Sequence, residues 1–350
     1  MSKQMSESVL EFEDVTIQYS TAKGALTAVS NVSFELGLNE YLGLVGESGC
    51  GKSTMAKAII GALDSNGRVT SGKIRYKGKE LQDMTEEEYN EEIRWKEIAW
   101  IPQNAMESLD PLQKISTQAV KIGKVHTDFP EDEILDRFRH LFDIVGLPES
   151  RITDYPHEFS GGMQQRAIIA LALFLRPSLI IADEPTTALD VIMQDQVLKY
   201  LDGIKEESET SMVMITHDIS LVFETCDKIA LMHSGQVVES GGVREVYYEP
   251  RHPYTILLQR AFPDHRYPDQ ELSKIEGHPP ETIGEVDYCS FADRCPWAIE
   301  ECHAQEPPAS PVNKQQNKDI AHNVSCVRMD EIRELADLES AAPRGGSGGK

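Results

Sequence analysis

Gly46-Glu-Ser-Gly-Cys-Gly-Lys-Ser-Thr54 fits the pattern G-x-x-x-x-G-K-[ST], and it stands between a short apolar run, Tyr41 to Val45, and a helical stretch, Met55 to Leu63. That strand–loop–helix context is what the pattern needs in order to act as a phosphate cradle. Glycines let the backbone curl so that successive N–H groups point inward, and the following helix adds the positive end of its dipole. Gly46, Glu47, Ser48, Gly49, Cys50, Gly51, Lys52, Ser53 and Thr54 are therefore the candidate phosphate-binding residues. Lys52 is expected to bridge the β- and γ-phosphates, and Ser53 to ligate Mg²⁺.

A second apolar run, Leu179-Ile-Ile-Ala-Asp-Glu184, reads as a buried strand ending in two carboxylates. Paired with the phosphate loop, it places Asp183 near the metal and Glu184 beside an attacking water. Strand and helix periods alternate through residues 10 to 245, which points to an α/β domain. Val15, Ile17 and Tyr19 repeat every second residue, Met212 to Ile215 is another buried-strand candidate, and Glu131 to Gly146 carries apolar residues at helical spacing. Ala167 to Leu175 is apolar throughout but too short to span a bilayer, which takes about 20 residues, so it reads as a buried core helix. The glutamate-rich stretch Thr85 to Glu97 reads as a solvated helical face.

The chain has 350 residues, with 34 Lys plus Arg against 58 Asp plus Glu, a net charge of −24. Such an acidic balance disfavours non-specific wrapping of nucleic acid and a polybasic membrane anchor. The first twenty residues lack a secretory apolar core, so a cytosolic location is expected. In a reducing compartment, Cys289, Cys295, Cys302 and Cys326, all in the last quarter, read as a metal site before a disulfide set.

Phe159-Ser-Gly-Gly-Met-Gln-Gln-Arg166 resembles the signature of the ABC (ATP-binding cassette) ATPases. In matching order, Gln103 of Ile101-Pro-Gln103 resembles the Q-loop glutamine, Thr187 to Asp190 the D-loop and His217 the switch histidine. Tyr19 resembles the aromatic that stacks on adenine, with core packing as the competing reading because it continues the Val15, Ile17 alternation. The resemblance implies an α/β, ABC-type P-loop ATPase core over residues 8–249, with an antiparallel β portion and a helical subdomain over about 104–176. It further implies ATP as the bound nucleotide, with Mg²⁺ held by Ser53, Gln103 and Asp183. Glu184, His217 and Lys52 are the implied catalytic residues. Ser160, Gly161 and Gly162, with Asp190, would complete the site of a second ATPase subunit. The resemblance also makes Cys50 a small packing residue whose side chain faces away from phosphate.

Arg251-His-Pro-Tyr-Thr255, Gly277-His-Pro-Pro280, Cys289-x5-Cys295-Pro-x5-Cys302 and His322-Asn-Val-Ser-Cys326 resemble the C-terminal extension of oligopeptide/dipeptide and nickel importer ATPases. Residues 250–327 are accordingly read as a small irregular cysteine-rich segment, and 328–350 as a charged helical stretch leading into a flexible tail. The four cysteines would hold a [4Fe-4S] cluster, with zinc as the alternative; His303 and His322 are read as surface residues. The implied partners are two transmembrane permease subunits, a second and non-identical ATPase, and an extracytoplasmic solute-binding protein acting through the permease, with no nucleic acid. The implied location is the cytoplasmic face of the cell membrane. A nickel importer remains an alternative, as does a soluble ABC ATPase acting on nucleic acid or ribosomes.

Overall fold

The computed structural model describes residues 8–103, 108–186, 210–261, 275–277, 287–312 and 321–341, with positions 194, 197–199, 201, 203, 205 and 284. Two sheets organise it. The first is antiparallel, with order β2-β1-β4-β5, where β1 is Ser8–Thr21, β2 Gly24–Gly37, β4 Gly67–Tyr76 and β5 Lys79–Glu80. Val15 and Ile17 of β1 point inward and are fully buried with Val29 and Val32 of β2.

The second sheet has order β11-β12-β10-β9-β3-β8-β7-β6. Its strands are β3 (Tyr41–Val45), β6 (Ile98–Ile101), β7 (Leu179–Asp183), β8 (Ser211–Thr216), β9 (Lys228–His233), β10 (Gln236–Gly242), β11 (Ser310–Pro311) and β12 (Asn323–Val324). β6, β7, β8, β3 and β9 run parallel, and every residue of β3, β7 and β8 is buried. Strands covered on both faces need continuous apolar runs, which is why these three carry no alternation.

Helix α1 (Lys52–Ile59) packs its Met55, Ala56 and Ile59 between the two sheets. On the other face, α2 (Ile115–His126), α3 (Glu131–Ile144) and α4 (Gly161–Leu173) build one core with β6, β7 and β8. Ile134, Phe138 and Phe142 of α3 are fully buried, four residues apart along one stripe, and Gly146 at φ 67° turns the chain after it. α4 is buried along most of its length, as expected of its all-apolar run.

Two expectations are corrected. The stretch from Thr85 begins with a capping box between Thr85 and Glu88, but Tyr89 and Ile93 then turn inward and are buried, so it is not a wholly solvated face. The C-terminal segment is not a separate small unit. β12 pairs with β10, and Cys289, Phe291 and Cys302 share a core with Val45, Ile229, Leu231, α5 (Ile219–Thr225), α6 (Val243–Tyr248) and α7 (Pro253–Ala261). The charged helical stretch expected after residue 328 is α8 (Ile332–Ala341), docked by buried Ile332 and Ala336 against Ile256; the tail expected beyond it lies outside the described residues.

A phosphate loop, a carboxylate pair and a four-cysteine pocket

The carboxyl ends of four neighbouring parallel strands converge on one edge of the main sheet. β3 runs into the glycine loop, β7 ends at Asp183 and leads to Glu184, β8 leads to His217, and β6 leads to Gln103. Ligands of parallel α/β sheets gather at such an edge, because there the loops open outward from a rigid base.

Within the loop, Gly49 and Gly51 sit at φ 82° and 109°. A Cβ on Gly51 would lie 2.3 Å from the Ala28 carbonyl oxygen, and one on Gly46 would lie 2.2 Å from that of Met232, so neither position admits a side chain. The Lys52 ammonium lies inside the loop, donating to the carbonyl oxygens of Gly46 at 2.7 Å and Glu47 at 2.9 Å. Phosphate oxygens entering the loop would compete for the same ammonium. The Ser53 hydroxyl hydrogen-bonds Asp183, which brings together the two oxygen donors expected around Mg²⁺. Burial and the neighbouring Glu184 raise the Asp183 carboxyl above its ordinary range, against the pull of that hydrogen bond and of Lys52. A divalent cation is the charge that would reverse this.

Glu184 stands at φ 49°, a left-handed backbone that a glutamate adopts at a steric cost, and its N–H donates to the Ile215 carbonyl at 2.8 Å. Its carboxylate accepts from Gln103 Nε2 at 2.9 Å and from His217 Nδ1 at 3.1 Å. Two of the implied catalytic side chains, Glu184 and His217, are thus in contact, together with Gln103, one of the implied Mg²⁺ ligands.

Other expected residues fall elsewhere. Ser160 caps the N-terminus of α4, accepting from the Met163 N–H at 3.4 Å, and is exposed beside the half-buried Gly161 and Gly162. Such a turn presents free amides to an anion arriving from outside the chain. Tyr19 is half-buried, with its ring against the backbone of Gly67. Cys50 is buried, with its sulfur beside Gly46 and accepting from the Lys52 ammonium at 3.6 Å, so its side chain packs against the loop's own groups. Asp190 and the rest of the Thr187 to Asp190 stretch lie outside the described residues.

Cys289, Cys295, Cys302 and Cys326 line a single pocket with His252, Phe291, Trp297 and Ile332. Backbone amides are aimed at three of the sulfurs: those of Phe291 and Ala292 at Cys289, Trp297 at Cys295, and Arg328 at Cys326, the last at 3.4 Å. Burial outweighs these donors and pushes the thiols of Cys295 and Cys326 up to about 12. Among the described residues, no group of three or more His, Cys, Asp or Glu has the geometry that holds a single metal ion. The donor set matches the four thiolates of a [4Fe-4S] cluster, but the pocket has only about 10 Å³ free, the room of one water, and would have to widen to admit it.

Sequence reading missed two features here. His322 is not a surface residue: it donates to the fully buried Glu239 of β10 at 2.7 Å, and the same carboxylate accepts from the backbone N–H groups of Arg251 and His252. Glu239 thereby ties together the first and last of the three histidine-bearing motifs of the extension. The second is Arg294, which lies between Cys289 and Cys295 in sequence. Its guanidinium grips Glu47 of the phosphate loop at 2.5 and 2.9 Å.

This edge-on assembly of glycine loop, acidic strand end and histidine is that of a P-loop ATPase. Residues 29–187 match the model of the ABC transporter family, and residues 238–302 that of the oligopeptide/dipeptide transporter C-terminal region. The oligopeptide transport ATP-binding protein OppD of Escherichia coli (strain K12) is 40% identical over 309 residues, covering 88% of this chain and 91% of that protein. The dipeptide transport ATP-binding protein DppD of the same organism is 38% identical over 301 residues, covering 85% and 92%. Among solved structures, the dimeric post-hydrolysis ATP-binding cassette MJ0796, bound to ADP and phosphate, superposes with a TM-score of 0.61 at 28% identity, covering 67% of this chain and 99% of that one. The chain belongs to the ABC transporter ATP-binding proteins, in the branch that carries the oligopeptide/dipeptide transporter C-terminal region.

Proposed function

We infer that this chain is the ATP-hydrolysing subunit that powers import of oligopeptides or dipeptides through a membrane permease. The observation that carries the reading is the contact of Glu184 with both Gln103 and His217 at the strand edge where the phosphate loop opens. ATP is held by residues 46–54, with Tyr19 against the adenine, and Ser53, Gln103 and Asp183 disposed toward Mg²⁺. Glu184 polarises the water for in-line attack on the γ-phosphate, while Lys52 and His217 stabilise the charge on the transferring group.

Ser160, Gly161 and Gly162 complete the site of a second ATPase subunit, with Asp190 at the same junction. Support comes from the exposed, amide-presenting start of α4, which serves no ligand of its own loop. ATP favours the closed pair because only that state offers it both surfaces. No helix among the described residues is long and apolar enough to cross a membrane, so the transport path belongs to partner chains. Two permease subunits, docking on the helical part that follows Gln103, a non-identical second ATPase, an extracytoplasmic binding protein and a location on the cytoplasmic face complete the assembly. Affinity purification of the tagged chain from solubilised membranes should recover apolar multi-span partners. Recovery with ribosomes instead would favour the soluble alternative.

The cysteine pocket holds a [4Fe-4S] cluster in this reading. What supports it is that the four thiols line one pocket, with the Arg328 amide aimed at Cys326, while their spacing x5, x6, x23 lacks the C-x2-C pair of zinc ribbons. Anaerobically purified protein is expected to be brown and to contain about four irons per chain. Colourless protein with one zinc per chain would replace the cluster by zinc.

A further inference from the structure

Glu47 occupies the second position of the phosphate loop and is anchored three times by the part of the chain beyond the core cassette strands. Its carboxylate takes the two guanidinium nitrogens of Arg294, and its backbone N–H donates to the Tyr254 hydroxyl of α7 at 3.1 Å. Its carbonyl meanwhile accepts from Lys52. Arg294 is itself held. Its side chain is only 5% exposed, its Nε donates to the Glu276 carbonyl at 2.9 Å, and its Nη1 donates to His233 Nε2 at 3.0 Å. His233 is completed on its other nitrogen by Ser290, next to Cys289, at 3.2 Å. A buried guanidinium held through all three of its nitrogens is a fixed point against which a glycine-rich loop can be set.

We propose that Arg294 is a positioning residue for the phosphate loop, and that through its fork on Glu47 the C-terminal extension sets the affinity for ATP. The proposal rests on residues 46–54 being the ATP phosphate site. An unanchored glycine loop must be ordered when nucleotide binds, whereas an anchored one has already lost that freedom, so breaking the fork should weaken binding. Arg294 is remote from Glu184 and His217 in role, since none of its contacts involves either. The chemical step should therefore be spared.

The experiment uses the full chain, with a fluorescent ATP analogue for the dissociation constant and steady-state hydrolysis for KM and kcat. Arg294→Ala is expected to weaken nucleotide binding and raise KM by about tenfold, the size of one charge-assisted hydrogen bond, with kcat within about twofold of the parent, and Glu47→Gln to lose affinity by a similar factor. The double variant should be no worse than the weaker single one, because both remove the same contact. Arg294→Lys should recover part of the affinity, as a point charge lacking the fork. If Arg294→Ala fails to fold, Arg294→Lys carries the test, since it keeps a cation at the buried position and removes only the fork on Glu47. Parental affinity in both single variants, or losses that add in the double, would overturn the proposal. Failure of the reading beneath it looks different: the parent would bind no analogue, or Lys52→Ala would bind it as well as the parent does.

Discussion

Glu184→Gln is expected to keep ATP bound and to lower hydrolysis by about 10²- to 10⁴-fold, the range for loss of a positioned general base. The substitution is nearly isosteric, and none of the phosphate-loop contacts of Lys52 or Ser53 runs through Glu184. What it removes is the carboxylate charge that Gln103 and His217 now hold in place from two sides. An amide in that position can still accept one hydrogen bond but cannot draw a proton from water. Single-turnover hydrolysis alongside equilibrium binding separates the two effects. Turnover within threefold of the parent would take Glu184 out of the reaction. Tenfold weaker binding with unchanged turnover would make it a ligand rather than a base. The backbone supports the expected loss of hydrolysis: φ 49° at Glu184 is a conformation retained where a side chain must be aimed.

The parts of this site that were legible in the sequence are those built from consecutive residues. Gly46 to Thr54 announces its loop because phosphate binding by backbone amides needs glycines at fixed offsets. Leu179 to Glu184 announces its strand because burial on both faces forbids polar residues until the edge is reached. The signature turn at Ser160 is local for the same reason. What could not be read was made by residues far apart. Arg294 and Glu47 are separated by 247 positions, and neither residue type is unusual where it stands. The two-residue strands β11 and β12 carry no periodicity to detect, so the joining of the extension to the main sheet left no pattern. His322 resembled any exposed histidine until Glu239 of β10 was placed against it. Tyr89 and Ile93 were hidden among glutamates, since a stripe of two residues is too short to signal a buried face.

Phe291→Ala tests whether the extension and the cassette are one folding unit. The ring is fully buried and meets His233, Tyr254 and His252 at centroid distances of 5.2, 5.3 and 6.1 Å, so it joins the end of β9, the helix after the cassette and the cysteine segment. Truncating such a ring leaves a cavity that surrounding atoms fill only in part, and costs about 3–5 kcal/mol. A shared core must transmit that loss to the whole molecule. Thermal unfolding should remain a single transition, lowered by about 10 °C, with ATPase activity and tertiary signal lost together. Ile299→Ala, at a side chain 39% exposed and outside this core, should shift stability by less than about 0.5 kcal/mol and serves as the reference. A split melt, in which the extension unfolds first while hydrolysis persists at the parental midpoint, would contradict the shared core. It would also remove the mechanical basis for Arg294 acting on the phosphate loop, because a guanidinium on a segment that opens independently cannot hold Glu47 in place.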